Sequence, residues 1–168
     1  LPDDFAAIAA IYADAVRHGT ASFELDPPDR DEIARRHAAL TGAGFPWIVA
    51  EADGEILGYG YFSPYRTRPA YRHTVENSIY VAPAAKRRGV GRVLLDALVA
   101  RAEADGFRQM IAVIGDSDNA ASIGLHAACG FEPAGVLRSV GWKHGRWLDS
   151  VFMRRPLGPG DAAPPAGP

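Results

Sequence analysis

The sequence predicts an α/β domain in which a mixed sheet carries helices on its faces. Three observations lead there. Apolar residues switch repeatedly between short β-prone runs and helical spacing, in the order α α β β β α β α β β. The stretch 76–98 runs from a strand through a basic, glycine-bearing loop into an amphipathic helix. The chain's 168 residues, 48% apolar and 23% charged, suit one domain with a real core.

In chain order, Asp3 or Asp4 caps a first helix with Phe5, Ile8, Ile11, Tyr12 and Val16 on one face, ending near His18-Gly19. An irregular linker follows over 20–24, with Phe23 its large apolar residue. Pro27-Pro28-Asp29 opens a second helix through Leu40, which Gly42 and Gly44 stop. Phe45 to Glu51 reads as a strand, Asp53-Gly54 as a hairpin turn, and Ile56 to Phe62 as the returning strand. Ser63 to Arg72 is a polar, aromatic loop holding Pro64, Tyr65, Arg66, Arg68, Pro69 and Tyr71. A strand from near His73 ends at Val81, and Ala82-Pro83 closes it. Helix 90–104 carries Val90, Val93, Leu94, Ala97 and Leu98, and Gly106 breaks it. Gln109 to Ile114 is the next strand; Asp118-Asn119 caps a helix from Ala120 to Ala128, which Gly130 terminates. Phe131 to Val140 and Trp147 to Arg154 are the last strands, joined by a turn at Lys143-His144-Gly145-Arg146. From residue 157 the chain is rich in Pro, Gly and Ala, and a disordered tail over 157–168 is expected.

A formal net charge of −2 gives no global attraction to nucleic acid or an anionic membrane, so any basic site must be local. One cysteine, Cys129, leaves no internal disulfide and suits a reducing compartment; it reads as a packed thiol. No apolar run approaches the roughly 20 residues that span a bilayer, and no secretory start is visible. The expected location is the cytoplasm. The histidines show no metal-ligand spacing, so no metal is expected.

Lys86-Arg87-Arg88-Gly89-Val90-Gly91 stands at the mouth of a helix. Unpaired N–H groups, a positive dipole end and side-chain-free positions make an anion cradle there. The G-x-G-x-x-G fingerprint fails because Leu94 stands at its third position, and the P-loop pattern also fails. On spacing alone, a phosphate cradle and a solvated turn are equally open readings.

Downstream, Asn119-Ala-Ala-Ser122-Ile-Gly-Leu125-His126-Ala-Ala-Cys129-Gly130-Phe131 follows a strand and leads through a helix into another. Together the two segments resemble the GNAT superfamily of acyl-CoA-dependent N-acetyltransferases, with His126 in place of that segment's usual tyrosine. Thr20 to Glu24, Tyr71 to Val81 and Gly141 to Trp147 are similar to its phosphinothricin/methionine sulfoximine N-acetyltransferase branch. The resemblance covers Pro2 to about Pro156, one acetyltransferase domain over 1–156. Two departures stand out: Lys86 where Arg or Gln is usual, and an initial strand missing or cut short before Leu1.

The resemblance implies a mostly antiparallel GNAT-type sheet and acetyl-CoA as co-substrate. Its pyrophosphate is expected on Arg87, Arg88, Gly89, Val90, Gly91 and Arg92. The pantetheine arm is expected along Ile79, Tyr80 and Val81, with Asn119 and Ser122 at the following helix. Glu76 takes the role of base. Read as a residue alone, it is a strand carboxylate that would pair with Arg72 or His73. His126 is expected to hold or protonate the leaving sulfur; a buried structural histidine is the competing reading. Asn119 reads also as a plain N-cap. A small amino-acid acceptor is implied, its carboxylate gripped by Arg72 and its side chain walled by Phe23, Tyr71 and Tyr65. The Trp142–Trp147 hairpin, with Lys143 and His144 at its tip, completes the pocket or forms a dimer contact, and a homodimer is implied. Other small amines, polyamines, a protein N-terminus and a non-catalytic acyl-CoA-binding module remain alternatives; nucleic acid and membrane partners are not expected.

Overall fold

Glycine and proline interrupt the chain close to where its periodicity predicts. A computed structural model describes residues 4–165. Asp3 and the expected loss of an initial strand lie outside the described residues. Helix α1 (Asp4–His18) is followed by α2 (Arg30–Gly42), where Asp29 Oδ1 accepts the Glu32 amide at 2.8 Å and so caps the helix. Strands β1 (Trp47–Ala52) and β2 (Glu55–Pro64) meet at the Asp53-Gly54 turn, where both residues have positive φ as a type I′ hairpin requires. A short 3₁₀ turn at Pro69–Tyr71 leads to β3 (Thr74–Val81), then α3 (Val90–Ala104) and β4 (Gln109–Gly115). The chain continues through α4 (Ala120–Ala128), β5 (Glu132–Lys143) and β6 (Arg146–Pro156).

The six strands form one sheet in the order β1-β2-β3-β4-β6-β5. Every neighbouring pair is antiparallel except β3–β4. Alternation along a strand sends successive side chains to opposite faces. On one face, Leu95, Leu98, Val99 and Ala102 of α3 pack with Val75, Met110, Ala112 and Met153, and α4 adds Ile123 and Leu125. On the other, Ile8, Ile11, Tyr12 and Val16 of α1 and Ile33 of α2 cover Tyr59, Trp47, Tyr61 and Tyr80. Burying the apolar helix faces supplies most of the helices' stability, since helices of this length are marginal alone.

The tail departs from expectation at its start. Leu157 is fully buried in the α3-side core, its amide donating to Arg108 O at 3.0 Å. The Arg108 guanidinium holds the Gly160 carbonyl at 2.8 Å and also bonds the Ala163 carbonyl. One apolar anchor and one arginine therefore fasten residues that composition alone assigns to a disordered tail.

Candidate active site

The parallel pairing of β3 with β4 runs from Thr74↔Gln109 to Asn77↔Ala112 and stops there, although β3 continues to Val81 and β4 to Gly115. The strands part beyond Asn77. The Ala82 amide donates to Leu57 O of β2 at 2.9 Å, which sets the alternation of the preceding backbone groups. Those of Ile79 and Val81 accordingly face the gap, and those of Ser78 and Tyr80 face β2. Ile79 and Val81, the expected pantetheine positions, thus turn their N–H and C=O into the gap. Tyr80 differs: it borders the gap, but its ring turns to the α1 face, edge-on to Tyr12 and stacked on Tyr59.

A narrow pocket of about 50 Å³ occupies the split, lined by Asn77, Ile79, Ile114, Asn119, Ser122 and His126 among others. His126 is 5% exposed, with Nε2 3.0 Å from Asn77 Oδ1 and Nδ1 2.8 Å from Ser122 O. Asn77 Nδ2 donates to Ile111 O at 3.1 Å, so its Oδ1 turns to the imidazole. Burial pushes the His126 pKa below the ordinary imidazole value, and the Ser122 carbonyl opposes this. Asn119 is an N-cap whose Oδ1 accepts the Ser122 amide at 3.2 Å, and it lines the pocket as well. Sequence reasoning missed Asn77; strand alternation beside Glu76 was the signal that it faces the helix carrying His126.

The basic loop lies where β3 feeds α3. Gly89 adopts φ 84°, a left-handed conformation that suits glycine, and caps α3 without a side-chain hydrogen bond. The first helical bond in this turn runs from Val93 to Gly89 O, which leaves the amides of Val90, Gly91 and Arg92 at the open end. Gly91 packs beside Leu125 of α4. Lys86 lies 3.9 Å from Asp14 and Arg92 3.5 Å from Asp96. Arg87 and Arg88 are exposed and have no ion pair among the described residues.

Glu76 occupies the opposite face of β3 from Asn77. It is half-buried and has no hydrogen bond or ion pair among the described residues, so neither Arg72 nor His73 neutralises it. Burial raises its pKa above the ordinary carboxylate value, and the positive charge of Arg66 pulls it part of the way back. The Arg66 guanidinium lies 4.9 Å above the Tyr65 ring, and Tyr65 meets Tyr71 edge-on at 5.7 Å. Arg72, the predicted carboxylate grip, is exposed and leans on its own turn through Pro69 O at 3.4 Å. The structure therefore brings Arg66 into Glu76's electrostatic environment, a residue the sequence analysis assigned only to the loop. Phe23 stands on the α1–α2 linker, 39% exposed, beside Gly115 and Gly141. Lys143 is not at a hairpin tip in solvent; it is buried, its ammonium donating to Ser22 O at 2.6 Å. Cys129 is buried and burial raises its thiol pKa, in keeping with a packed thiol. Among the described residues no helix is long and apolar enough to cross a membrane.

A half-buried carboxylate on one face and a slot with free backbone groups on the other can serve acyl transfer to an amine. Comparison with known proteins points the same way. Residues 8–131 match the model of the acetyltransferase (GNAT) family. The phosphinothricin N-acetyltransferase of Alcaligenes faecalis is 58% identical over 163 residues, covering 97% of this chain and 83% of that one. The L-methionine sulfoximine/L-methionine sulfone acetyltransferase of Pseudomonas paraeruginosa is 45% identical over 165 residues, covering 96% and 94%. The crystal structure of a phosphinothricin acetyltransferase from Sinorhizobium meliloti in complex with AcCoA superposes with a TM-score of 0.95 at 47% identity, covering 99% of this chain and 90% of that one.

Proposed function

The chain belongs to the acetyltransferase (GNAT) family and is an acetyl-CoA-dependent N-acetyltransferase, and we propose that its acceptor is the α-amine of a phosphinothricin- or methionine sulfoximine-type amino acid. The observation that carries this reading is the placement of Glu76 and Asn77. They are consecutive residues on opposite faces of β3 at the point where β3 and β4 part. An amine approaching from the Glu76 side can then meet a thioester lying in the gap.

A free α-amino group has a pKa of about 7.7–8.0 and is largely protonated at neutral pH, so the acceptor must lose a proton before attack. Glu76 accepts it, directly or through a water, and its raised pKa makes it a better base than an exposed carboxylate. The amine then attacks the thioester carbonyl, whose developing oxyanion is held by a backbone N–H of Ile79 or Val81. As the C–S bond of the tetrahedral adduct breaks, the second proton of the attacking nitrogen passes to the departing sulfur, directly or through a water, so the products are the amide and the free thiol; His126 borders the gap in which the sulfur leaves. Arg87 and Arg88, together with the Val90, Gly91 and Arg92 amides, hold the pyrophosphate. Asn119 and Ser122 border the arm. Arg66, with Arg72 at the outer edge, attracts the acceptor's carboxylate, while Phe23, Tyr71 and Tyr65 wall its side chain.

Acetylation of the amine would detoxify such analogues in the cytoplasm. We propose a homodimer as well, because Val136, Leu137, Val140, Trp142 and Trp147 are exposed apolar residues on the edge hairpin β5–β6. Thiol release from acetyl-CoA across a panel of sulfoximines, sulfones, phosphinates, ordinary amino acids and polyamines tests the acceptor class. Fastest release with the tetrahedral amino-acid analogues is expected. Preference for a polyamine, or binding of acetyl-CoA with no turnover on any amine, would overturn the reading.

A further inference from the structure

The α1–α2 linker, residues 19–24, lacks regular secondary structure yet is fastened from several directions. Thr20 Oγ1 donates to Gly115 O at the end of β4 at 3.1 Å. Tyr12 of α1 donates to Glu24 Oε1 at 2.9 Å, and Arg36 of α2 holds the same carboxylate at 2.7 Å. The β5–β6 hairpin supplies the rest: His144 Nε2 donates to Gly19 O at 3.1 Å and Lys143 Nζ to Ser22 O at 2.6 Å.

Lys143 is the costly member. It is 4% exposed, and its one hydrogen bond among the described residues goes to a neutral carbonyl. Burying an ammonium on a neutral carbonyl is unfavourable: burial lowers its pKa, and the charge of the Glu24 carboxylate opposes this only in part. A methionine would fill similar volume without that cost. What the ammonium adds is a directed bond that draws the linker onto the hairpin.

The hairpin also shapes the seat of Phe23. A Cβ on Gly141 would overlap the Phe23 ring, with Cδ2 2.7 Å away. A Cβ on Gly115 would overlap the Thr20 carbonyl oxygen and stand 3.0 Å from Phe23 Cε1. The ring therefore rests in a notch that exists only because both positions lack side chains. Two residues before Phe23, Ala21 lines the same pocket as Asn77 and His126. A shift of the linker thus moves the wall of the pocket.

We propose that Gly141 and Lys143 are specificity-determining positioning residues: the hairpin holds the linker through Ser22 O and seats Phe23, and so sets how much acceptor side chain the site admits. This rests on Phe23 walling the acceptor site, as proposed above. Neither residue touches the reacting atoms; both act through the linker.

A mutant cycle tests the seat, with thiol release measured against amino-acid acceptors of increasing side-chain length and thermal melting alongside. Gly141→Ala is expected to raise acceptor KM on the order of tenfold and to change the ratio of kcat/KM between long and short acceptors. Its KM for acetyl-CoA should change less than its acceptor KM, since of the linker residues Ala21 alone borders the cofactor slot. In a Phe23→Leu background Gly141→Ala should cost little, because the smaller side chain leaves room for the new Cβ. Lys143→Met should speed hydrogen exchange of the Glu24 amide, which donates to Ser22 Oγ, while those of Met110 and Ala112 keep their protection. Unchanged acceptor selectivity in Gly141→Ala, no coupling to Phe23, or loss of protection spread evenly over the sheet would each overturn the proposal. If the parent protein acetylates none of the acceptors, the assigned function fails instead, and the exchange experiment still decides whether the hairpin holds the linker.

Discussion

Glu76→Gln exchanges a carboxylate for an amide of nearly the same shape at a position where the structure leaves the charge without a partner. Two forces set that carboxyl's pKa. Burial raises it from 4.5, and the Arg66 charge lowers it, with burial the stronger. The sign of the stability effect follows. With its folded pKa raised, Glu76 binds more protons in the native state than in the unfolded chain, so its contribution to stability falls as pH rises from 4.5 through the raised value. At neutral pH the ionised carboxylate is therefore a burden on the fold, and glutamine relieves it. Activity should move the other way. Removing a general base costs about 10²- to 10⁴-fold, or roughly 2.7–5.4 kcal/mol at about 1.36 kcal/mol per decade. The assay is kcat/KM for a saturable acceptor over pH, with acetyl-CoA affinity and thermal melting measured on the same protein. The parent's acid limb should have its midpoint above 4.5, as ionised Glu76 is the active form. The variant should lose turnover, bind acetyl-CoA as before, and melt no lower than the parent. Turnover unchanged at neutral pH, or an acid limb at or below the ordinary carboxylate value, would refute the assignment of the base.

Arg66→Ala removes the charge that holds the Glu76 pKa down, so the acid limb of kcat/KM should move to higher pH; a limb that stays in place or moves down would show that Arg66 does not act on Glu76. Replacing Arg87 and Arg88 together by Ala should raise KM for acetyl-CoA on the order of tenfold or more and flatten its salt dependence, leaving acceptor KM in place. Leu157→Ala deletes a fully buried side chain and should cost about 2–5 kcal/mol, lowering Tm by roughly 4–20 °C in calorimetry. A Tm within a degree or so of the parent would return Leu157 to a disordered tail.

Local signals in the sequence locate most of the fold. Helices α3 and α4 begin and end at the predicted residues because Gly89, Asn119, Gly106 and Gly130 mark their termini by backbone conformation or capping. Strand β1 starts later than its apolar run, since the Phe45 amide is spent on Leu40 O in closing α2. Leu157 was hidden by the Pro- and Gly-rich composition around it, which averages away a single anchor. The geometry of the proposed cofactor side was equally legible: the basic loop and the Asn119–Phe131 segment are each a continuous stretch of sequence, so each takes its shape locally. The acceptor side is different, because it is assembled from separated pieces. Lys143 looks like an exposed turn residue until the linker 121 residues earlier in the chain brings Ser22 O against it. Arg66 and Arg72 are indistinguishable as loop arginines, and only the course of the loop separates the one near Glu76 from the one leaning on its own turn. Asn77 was within reach of reasoning from the sequence, since a strand that turns Glu76 to one face must turn its neighbour to the other. The same alternation explains how one strand serves both partners in the proposed reaction. A base and the groups around the thioester must not compete for the same space, and consecutive positions on β3 separate them by the thickness of the sheet. In the proposed reaction the gap beyond Asn77 is where the amine and the acyl carbon meet.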